Sequence, residues 1–421
     1  MRLFNTLTQT VEPLRPHGAQ VSLYVCGITP YDTTHLGHAF INVVYDTLRR
    51  YLEFSGQPVR YVQNVTDIDD DILRKAREIG STWDNLGESE TRRYITDLTA
   101  LNVCKPTEYA RASSQIPAMF TLVEALLAKG LAYEREGWVY YDVSADPAFG
   151  RLADAAGYQG YESWLKTANE RGNFANDPRK SDPLDFVMWQ AQQEGEPAWA
   201  SPWGMGRPGW HIECSALVTA LLGEKIDIHG GGADLVFPHH TCEIAQSENA
   251  TGGHPYVQTW MHCGMVALDG EKMSKSLGNL ILAADLLKSY TPDAVRTLLL
   301  DNHYRAPWEY FRSAMEDAAA RAAHYAAAAH SAPASSRATR AALEDSGDAV
   351  TRAAVTEFTA AMEDDLDTPR ALTALDGLAA AALETPGPER AAALRALAST
   401  LGMQLEGANP HAPAWVSAYD A

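Results

Sequence analysis

The chain places the stretch Cys26-Gly27-Ile28-Thr29-Pro30-Tyr31-Asp32-Thr33-Thr34-His35-Leu36-Gly37-His38 between two segments of different periodicity. Residues 21–25 alternate apolar and other side chains, which is typical of a strand. Residues 40–51 repeat apolar side chains at helical spacing, and residues 59–65 return to a strand pattern. The stretch therefore forms the first turn of a predicted βαβ unit.

This turn carries groups suited to binding phosphate. Gly37 lets a ligand approach the backbone closely. The start of the following helix offers free N–H groups and the positive end of the helix dipole. His35 and His38 are three residues apart, so both lie on one face of the first helical turn. Taken alone, two histidines there could equally be a structural pair.

Two motifs resemble the signatures of class I aminoacyl-tRNA synthetases. Residues 35–38, His-Leu-Gly-His, are similar to the first, His-x-Gly-His, and residues 272–276, Lys-Met-Ser-Lys-Ser, match the second. Cys26, residues 209–214 (Gly-Trp-His-Ile-Glu-Cys) and residues 237–240 (Phe-Pro-His-His) resemble the cysteine-activating branch. That branch comprises cysteinyl-tRNA synthetase and the mycothiol-pathway cysteine:glucosaminyl-inositol ligase, and the similarity runs from about residue 3 to about residue 401.

The composition fits an enzyme of the reducing cytoplasm. The 421 residues are 46% hydrophobic, and they include no stretch as long as a membrane span and no export signal. The five scattered cysteines do not form a disulfide pattern. The formal net charge of −20 gives no general attraction to nucleic acid. We therefore expect a cytoplasmic protein without a membrane partner.

The predicted fold class is α/β. We expect a doubly wound parallel-sheet nucleotide-binding domain, like that of class I synthetases, with an inserted subdomain and a C-terminal helical bundle. The predicted boundaries are 1–80 and 209–309 for the two halves of the nucleotide-binding domain, 81–208 for the insertion, and 310–421 for the bundle and tail. Within these, we expect a strand at 225–228 followed by the three glycines at 230–232, exposed loops at 157–183, and strong helix formation over 379–397.

Activation of a carboxylate by ATP needs fixed donors and positive charge around the phosphates. His35 and His38 could donate from one side, and Lys272 and Lys275 could stabilise the leaving pyrophosphate from the other. On their own, the two lysines could simply be solvated loop residues. The order and positions of all four favour nucleotide activation, with ATP and Mg²⁺ as the substrate.

Zinc is predicted because packing alone separates cysteine from serine poorly, whereas zinc binds a thiolate far better than a hydroxyl. The resemblance implies Cys26, Cys214 and His239 as ligands. Glu243 lies one helical turn after His239 and resembles the fourth ligand of the synthetase, whereas the ligase lacks a glutamate there. The spacing itself is a weak zinc signal, and Cys242 is the competing candidate.

The resemblance also implies the residues that hold cysteine and the adenylate. Trp210 is similar to the aromatic residue beside the bound cysteine, residues 232–234 to a ribose-binding Gly-x-Asp, and Val266 to an adenine contact. The acidic run at 67–70 is predicted only to cap a helix. The full set of implied substrate-binding residues is Gly27, Ile28, Thr29, Asn64, Val65, Thr66, Trp210, Gly232, Ala233, Asp234 and Val266.

The two activities of this branch differ in the acceptor. Residues 27–30, Gly-Ile-Thr-Pro, and the His-Leu-Gly-His signature are similar to the ligase. Residues 170–178 resemble its Glu-Arg-Gly-Gly-Asp-Pro stretch with extra residues inserted, and residues 407–421 show no counterpart of the basic anticodon-reaching segment. We therefore predict that L-cysteine is activated to cysteinyl-adenylate and transferred to the amine of glucosaminyl-inositol, an amino sugar-inositol, releasing AMP and pyrophosphate. The alternative is a cysteinyl-tRNA synthetase with tRNA as its partner.

Overall fold

The chain folds around a five-stranded parallel sheet, seen in a computed structural model that describes residues 1–31, 34–273, 278–333 and 339–405. The strands, in chain order, are β1 (Arg2–Asn5), β2 (Thr10–Pro13), β3 (Val21–Ile28), β4 (Val59–Val65), β5 (Glu108–Arg111), β6 (Ala132–Arg135), β7 (Trp138–Tyr141), β8 (Phe186–Ala191), β9 (Trp199–Ser201), β10 (Gly204–Pro208), β11 (Ile226–Gly232), β12 (Val257–Cys263), β13 (Val266–Leu268), β14 (Glu271–Lys272) and β15 (Trp308–Glu309).

Helices surround this sheet and dominate the last quarter of the described chain. In chain order they are α1 (Leu36–Phe54), α2 (Asp70–Glu78), α3 (Trp83–Ala100), α4 (Ile116–Ala128), α5 (Arg151–Ala155), α6 (Tyr161–Glu170), α7 (Trp210–Leu221), α8 (Thr241–Thr251), α9 (Ala283–Leu286), α10 (Pro292–Leu300), α11 (Arg312–Ala329), α12 (Arg340–Glu344), α13 (Ala349–Glu363), α14 (Thr368–Glu384) and α15 (Pro388–Thr400). A π-helical turn, Val236–His240, leads into α8.

The central sheet has the strand order β12-β11-β3-β4-β5, and every neighbouring pair is parallel. The first half of the chain adds strands on one side of β3, and the second half adds them on the other. The order therefore reverses between β3 and β11, where Val25 lies opposite Gly230. In doubly wound folds, ligands bind at the carboxyl ends of the strands at such a switch point. The predicted α/β, doubly wound architecture is confirmed.

A second, antiparallel sheet has the order β6-β7-β8-β10-β9. It lies within the predicted insertion and has its own buried cluster, which includes Val139 and Trp189. The strand β5, at Glu108–Arg111, pairs instead with β4 of the central sheet. The four predicted domain ranges stay predictions, but the antiparallel sheet itself begins only at Ala132.

The C-terminal helices share one apolar core with the central sheet and α1. Arg296 of α10 is fully buried at this junction and donates hydrogen bonds to Asp46 Oδ2 (2.6 Å) and to the Leu401 carbonyl (2.8 Å). A buried charge of this kind is tolerated because it is paired and hydrogen-bonded. The helices therefore pack directly on the nucleotide-binding sheet.

Three details differ from the sequence predictions. The strand predicted at 225–228 runs on through its glycines to Gly232, because β11 keeps pairing with β12 as far as Cys263. The helix predicted over 379–397 is interrupted between Glu384 and Pro388, since prolines at 386 and 388 cannot continue it. The polar region 157–183, predicted to be exposed loops, contains α6.

Among the described residues, no helix combines the length and the apolar character that crossing a membrane requires.

Candidate active site

The first signature lies at the amino-terminal end of α1. His35 is the N-cap residue, and its Nδ1 accepts a hydrogen bond from the Gly37 backbone N–H (3.1 Å). The rings of His35 and His38 lie with their centroids 3.9 Å apart. Both imidazoles therefore stand where the helix dipole favours a phosphate.

The second signature is tied to the first through the backbone. Lys272 ends β14, which pairs with β13, whereas the side chain of Lys272 and the whole of Lys275 lie outside the described residues. On the far side of the signature, the Ile281 carbonyl accepts a hydrogen bond from the Leu36 N–H (2.8 Å). The segment that follows the second signature thus contacts the start of the first.

Several predicted substrate-binding residues meet at the carboxyl ends of β3 and β4. The Gly27 N–H donates to Asn64 Oδ1 (2.8 Å), and Asn64 Nδ2 donates to Thr66 Oγ1 (3.0 Å). Val65 pairs with Ile28, whose carbonyl accepts from the Thr66 N–H (2.9 Å). A Cβ at position 27 would lie 1.9 Å from the Asn64 carbonyl oxygen, so only glycine fits. Thr29 follows directly and faces a cavity.

The remaining predicted nucleotide contacts surround the end of β11. Gly232 is its last residue, and a Cβ there would lie 2.5 Å from Asp234 Oδ1. Ala233 and Asp234 form a short 3₁₀ turn, and the Asp234 carbonyl accepts a hydrogen bond from Arg171 of the insertion. Val266 is buried in β13, and its carbonyl accepts from the Met273 N–H (3.1 Å).

Four predicted metal ligands converge beside the end of β3. Cys26 comes from β3, Cys214 from α7, His239 from the π-helical turn and Glu243 from α8. Their donor atoms all lie within 4.8 Å of one another. The two sulfurs are 4.0 Å apart, and His239 Nε2 lies 3.3 Å from Cys214 Sγ and 3.1 Å from Glu243 Oε1. The structure therefore brings together all four predicted ligands, and each comes from a different element.

This donor set fits zinc. Zn–S bonds of about 2.3 Å place the two sulfurs of a tetrahedral site roughly 3.8 Å apart, close to the separation found here. Burial alone would raise the pKa of Cys214, but contact with Cys26 and His239 lowers it to about 6, whereas burial together with Cys214 and Glu243 raises the pKa of Cys26. Burial would likewise raise the pKa of Glu243, but His229 and His239 lower it to about 2. Deprotonated thiol and carboxyl groups are the forms that ligate a metal.

A layer of buried histidines around this set was not predicted from the sequence. His229 Nε2 lies 3.0 Å from Glu243 Oε2. His240 Nε2 lies 3.3 Å from Cys26 Sγ, and its Nδ1 lies 2.7 Å from His262 Nε2. Cys26, His229, His240 and Glu243 form a second converging group. His229 and His262 lie in apolar strands that resemble ordinary core sequence, and His240 ends the motif at residues 237–240, so only their proximity in space could reveal this arrangement.

Trp210 connects the donor set to a large cavity. Its ring stacks on His239 with centroids 4.3 Å apart, and His211 Nδ1 lies 2.8 Å from His239 Nδ1. Trp210 and His211 then line a cavity of about 1280 Å³, together with the start of α2, residues 171–180, and the strands β8 and β10. Pockets for small ligands usually measure about 300–1,000 Å³. The space is therefore larger than one amino acid requires.

Most charges on the cavity wall are already paired. Arg179 contacts Asp177 at 2.8 Å, and Arg207 contacts Glu196 at 2.8 Å. Arg207 also forms an ion pair with Asp70. Asp69, from the acidic run predicted to cap a helix, does cap α2 by accepting from the Asp71 N–H (2.9 Å), but it also faces the cavity.

Solved structures share this architecture. A Mycobacterium tuberculosis methionyl-tRNA synthetase in complex with methionyl-adenylate superposes with a TM-score of 0.61, covering 91% of this chain and 89% of that chain at 15% sequence identity. The ternary complex of the Agrobacterium radiobacter K84 agnB2 LeuRS with tRNA gives a TM-score of 0.60 at 12% identity, covering 93% of this chain and 85% of that chain. At such identities the similarity concerns the fold alone.

Sequence comparison is more specific. A cysteine–tRNA ligase of Hydrogenovibrio crunogenus is 42% identical over 411 residues, which is 96% of this chain and 85% of that protein. An L-cysteine:1D-myo-inositol 2-amino-2-deoxy-alpha-D-glucopyranoside ligase of Streptosporangium roseum is 41% identical over 389 residues, 92% of this chain and 91% of that protein. The family model described as the class I tRNA synthetase (C) catalytic domain matches residues 12–320. The chain therefore belongs to the class I tRNA synthetase family of type C and is an ATP-dependent ligase.

Proposed function

We propose that this enzyme activates L-cysteine with ATP and Mg²⁺ and transfers the cysteinyl group to the amine of glucosaminyl-inositol. The observation that carries the proposal is the four-donor set, Cys26, Cys214, His239 and Glu243, at the end of β3 beside the first signature. Both relatives described above carry cysteine in their names, so cysteine is the substrate they share. Free thiols at all five cysteines fit the reducing cytoplasm as the compartment.

Selection of cysteine is assigned to the donor set. Zinc held by these four residues would supply a soft Lewis acid that binds the substrate thiolate and not the serine hydroxyl. Trp210 lies against His239 and would pack on the small side chain of cysteine. Gly27 and Asn64, hydrogen-bonded to each other, would hold the backbone of the amino acid at the strand ends.

Activation then takes place between the two signatures. The carboxylate of cysteine attacks the α-phosphorus of ATP, the bond to the bridging oxygen breaks, and pyrophosphate leaves. His35 and His38 at the start of α1 would donate hydrogen bonds to the phosphates. Lys272 and Lys275 would stabilise the negative charge on the leaving pyrophosphate, while Gly232 and Asp234 would hold the ribose.

Transfer to an amine needs a neutral nitrogen placed against the activated carbonyl. The nitrogen forms a C–N bond with the carbonyl carbon, the bond from that carbon to the phosphate oxygen breaks, AMP leaves, and the nitrogen gives up one proton to water and keeps the other hydrogen in the amide. Two observations support an amine acceptor over tRNA: the formal net charge of −20, and the carboxylates that face the cavity next to Trp210. Both disfavour a phosphate-rich partner.

The second candidate is a cysteinyl-tRNA synthetase. Glu243 favours it, because its Oε1 lies 3.1 Å from His239 Nε2 as part of the donor set, and a glutamate here resembles the synthetase's fourth ligand. Both candidates require the same activation step and differ only in the acceptor.

The activation step is tested by exchange of labelled pyrophosphate into ATP without any acceptor. We expect exchange that depends on cysteine, with serine at least about a hundredfold weaker, as expected where a site reads a specific polar group instead of size alone. Equal exchange with serine would contradict the role given to the donor set.

A further inference from the structure

One aromatic side chain on the cavity wall is open to solvent. Phe174 is 73% exposed, the highest value among the large apolar side chains of the described residues, and it lines the cavity together with Trp210. Single exposed apolar residues are ordinary elsewhere on a protein surface, as Phe311 is at the start of α11. An open aromatic face inside a ligand-sized cavity instead offers apolar area to whatever binds there.

The backbone around Phe174 is fixed, although its ring is exposed. The Asn173 N–H donates to the Ala168 carbonyl (3.0 Å), and Asn173 Nδ2 donates to the Pro183 carbonyl (3.0 Å). On the other side, the Phe174 carbonyl accepts from the Asp177 N–H (3.2 Å). Because these bonds already order the backbone, a ligand that contacts the ring costs little further chain entropy.

Arg171 anchors the same loop to the candidate active site. Its Nη1 donates to the carbonyls of Asp234 and Phe237. Asp234 is the carboxylate assigned to the ribose, and the π-helical turn that contains Phe237 also carries His239 of the donor set. Phe174 follows Arg171 by three residues, which span at most roughly 11 Å of chain. The exposed ring therefore stands beside the place where cysteinyl-adenylate would form.

We propose that Phe174 is the platform on which a saturated ring of the acceptor stacks during transfer. This inference rests on the proposed function, because it takes glucosaminyl-inositol as the acceptor. That compound consists of two six-membered rings whose C–H bonds form apolar faces, whereas its hydroxyls project around the rim. An aromatic ring can cover such a face, and Asn176 of the same wall offers an amide to the hydroxyls. The contact involves no charge, so it leaves the amine neutral, as transfer requires.

A nucleotide base could stack on the same ring, but the surrounding wall disfavours its phosphates. Asp69 and Asp71 line the same cavity. The cations Arg179 and Arg207 are already paired with carboxylates on that wall. A phosphate-rich partner meets this negative potential, whereas an uncharged sugar ring does not. The observations therefore favour a sugar ring over a base.

The test compares Phe174→Ala, which removes the ring, with Phe174→Tyr, which keeps the aromatic face. With glucosaminyl-inositol as acceptor and AMP release as readout, we expect the acceptor KM of Phe174→Ala to rise by about fivefold or more. The KM of Phe174→Tyr should stay within about twofold of wild type. Cysteine-dependent pyrophosphate exchange, which needs no acceptor, should be unchanged in both variants. The control Phe311→Ala removes an exposed ring outside the cavity lining and should change neither quantity.

Three outcomes overturn the platform while the proposed function stands, since wild type still forms the amide. The first is an acceptor KM for Phe174→Ala equal to that of wild type. The second is an equal rise in KM for Phe174→Tyr, which would show that the aromatic face is not what matters. The third is a loss of pyrophosphate exchange as large as the rise in KM, which would assign the effect to general damage of the active site. Absence of turnover by wild type with glucosaminyl-inositol would instead refute the proposed function, and the platform with it.

Discussion

The donor set and the cavity wall, which Trp210 connects, differ in how they bury charged groups. In the donor set, burial would raise the pKa of Glu243, but His229 and His239 lower it to about 2. Burial would lower the pKa of His239, but Cys214 and Glu243 raise it to about 10. On the cavity wall, burial raises the pKa of Asp69 to about 6, with Asp71 and Asp70 contributing, and burial raises the pKa of Glu213 well above its usual range. The donor set therefore places groups of opposite charge beside one another, whereas the cavity wall carries carboxyl groups whose protonated form is favoured by burial.

This difference separates the selection of the amino acid, at the donor set, from the selection of the acceptor, in the cavity. A closed set of donor atoms within 4.8 Å offers the same soft ligands whatever the acceptor, so it can be shared by enzymes with different second substrates. The wide cavity depends on wall charges and on a loop, residues 171–180, that can vary without disturbing the sheet. Substitutions in the donor set should therefore change zinc binding and pyrophosphate exchange, whereas substitutions on the cavity wall should change the acceptor KM.

The largest expected effect comes from Cys214→Ser, which replaces a soft sulfur ligand by a hydroxyl. We expect bound zinc to fall from about one per chain to a small fraction, and cysteine-dependent pyrophosphate exchange to fall by about a hundredfold or more. Metal analysis of the purified protein and the exchange assay measure the two quantities. Unchanged zinc in this variant, or wild type free of zinc, would show that the donor set is not a zinc site.

A smaller effect, confined to the cavity side, is expected from Asp177→Asn. Asp177 accepts hydrogen bonds from Arg179 Nε (2.8 Å) and from the Tyr140 hydroxyl (2.7 Å), and the Arg179 guanidinium lies 3.9 Å above the Trp138 ring. Loss of this anchor should loosen the loop and raise the acceptor KM by about threefold. Zinc content and pyrophosphate exchange should change less than the acceptor KM. A loss of exchange as large as the rise in KM would contradict independent roles for the donor set and the cavity wall.

The ion pair between Asp177 and Arg179 makes the stability of the protein depend on pH. Burial would raise the pKa of Asp177, but hydrogen bonds from Arg179 and Tyr140 lower it to about 2. Because the folded pKa lies below the unfolded value of about 3.9, the stabilisation is complete above about pH 4 and is lost as the pH falls through about 2. The difference in Tm between wild type and Asp177→Asn should therefore shrink on acidification. A difference that grows toward low pH would have the wrong sign.

Much of the donor set and of the βαβ unit around it could be predicted from the sequence. The βαβ unit was visible in the change of period around residues 26–38, and Cys26, Cys214, His239 and Glu243 were implied by motifs. The structure places those four together. The surrounding histidines could not be predicted, because a single histidine in an apolar run does not indicate which distant residues it will meet. His229 and Glu243, for example, come from different elements.

Most features of the cavity wall could not be predicted from the sequence. The antiparallel strands β8, β9 and β10 were not predicted, since short strands separated by glycine and proline carry little periodic signal. The acidic run at 67–70 did contain a helix cap, but that role did not indicate that Asp69 also lines the cavity. Glu213 was part of the motif at residues 209–214, but its place in that motif did not indicate that its side chain lines the cavity.

The choice of acceptor is the central claim, and one competition measures it most directly. Purified enzyme with cysteine and ATP is offered glucosaminyl-inositol or tRNA, and acceptor-dependent AMP release and product formation are followed. Our account predicts cysteinyl-glucosaminyl-inositol as the efficiently formed product, with little cysteinyl-tRNA. Efficient charging of tRNA, with no product from glucosaminyl-inositol, would contradict the account and identify the enzyme as a synthetase.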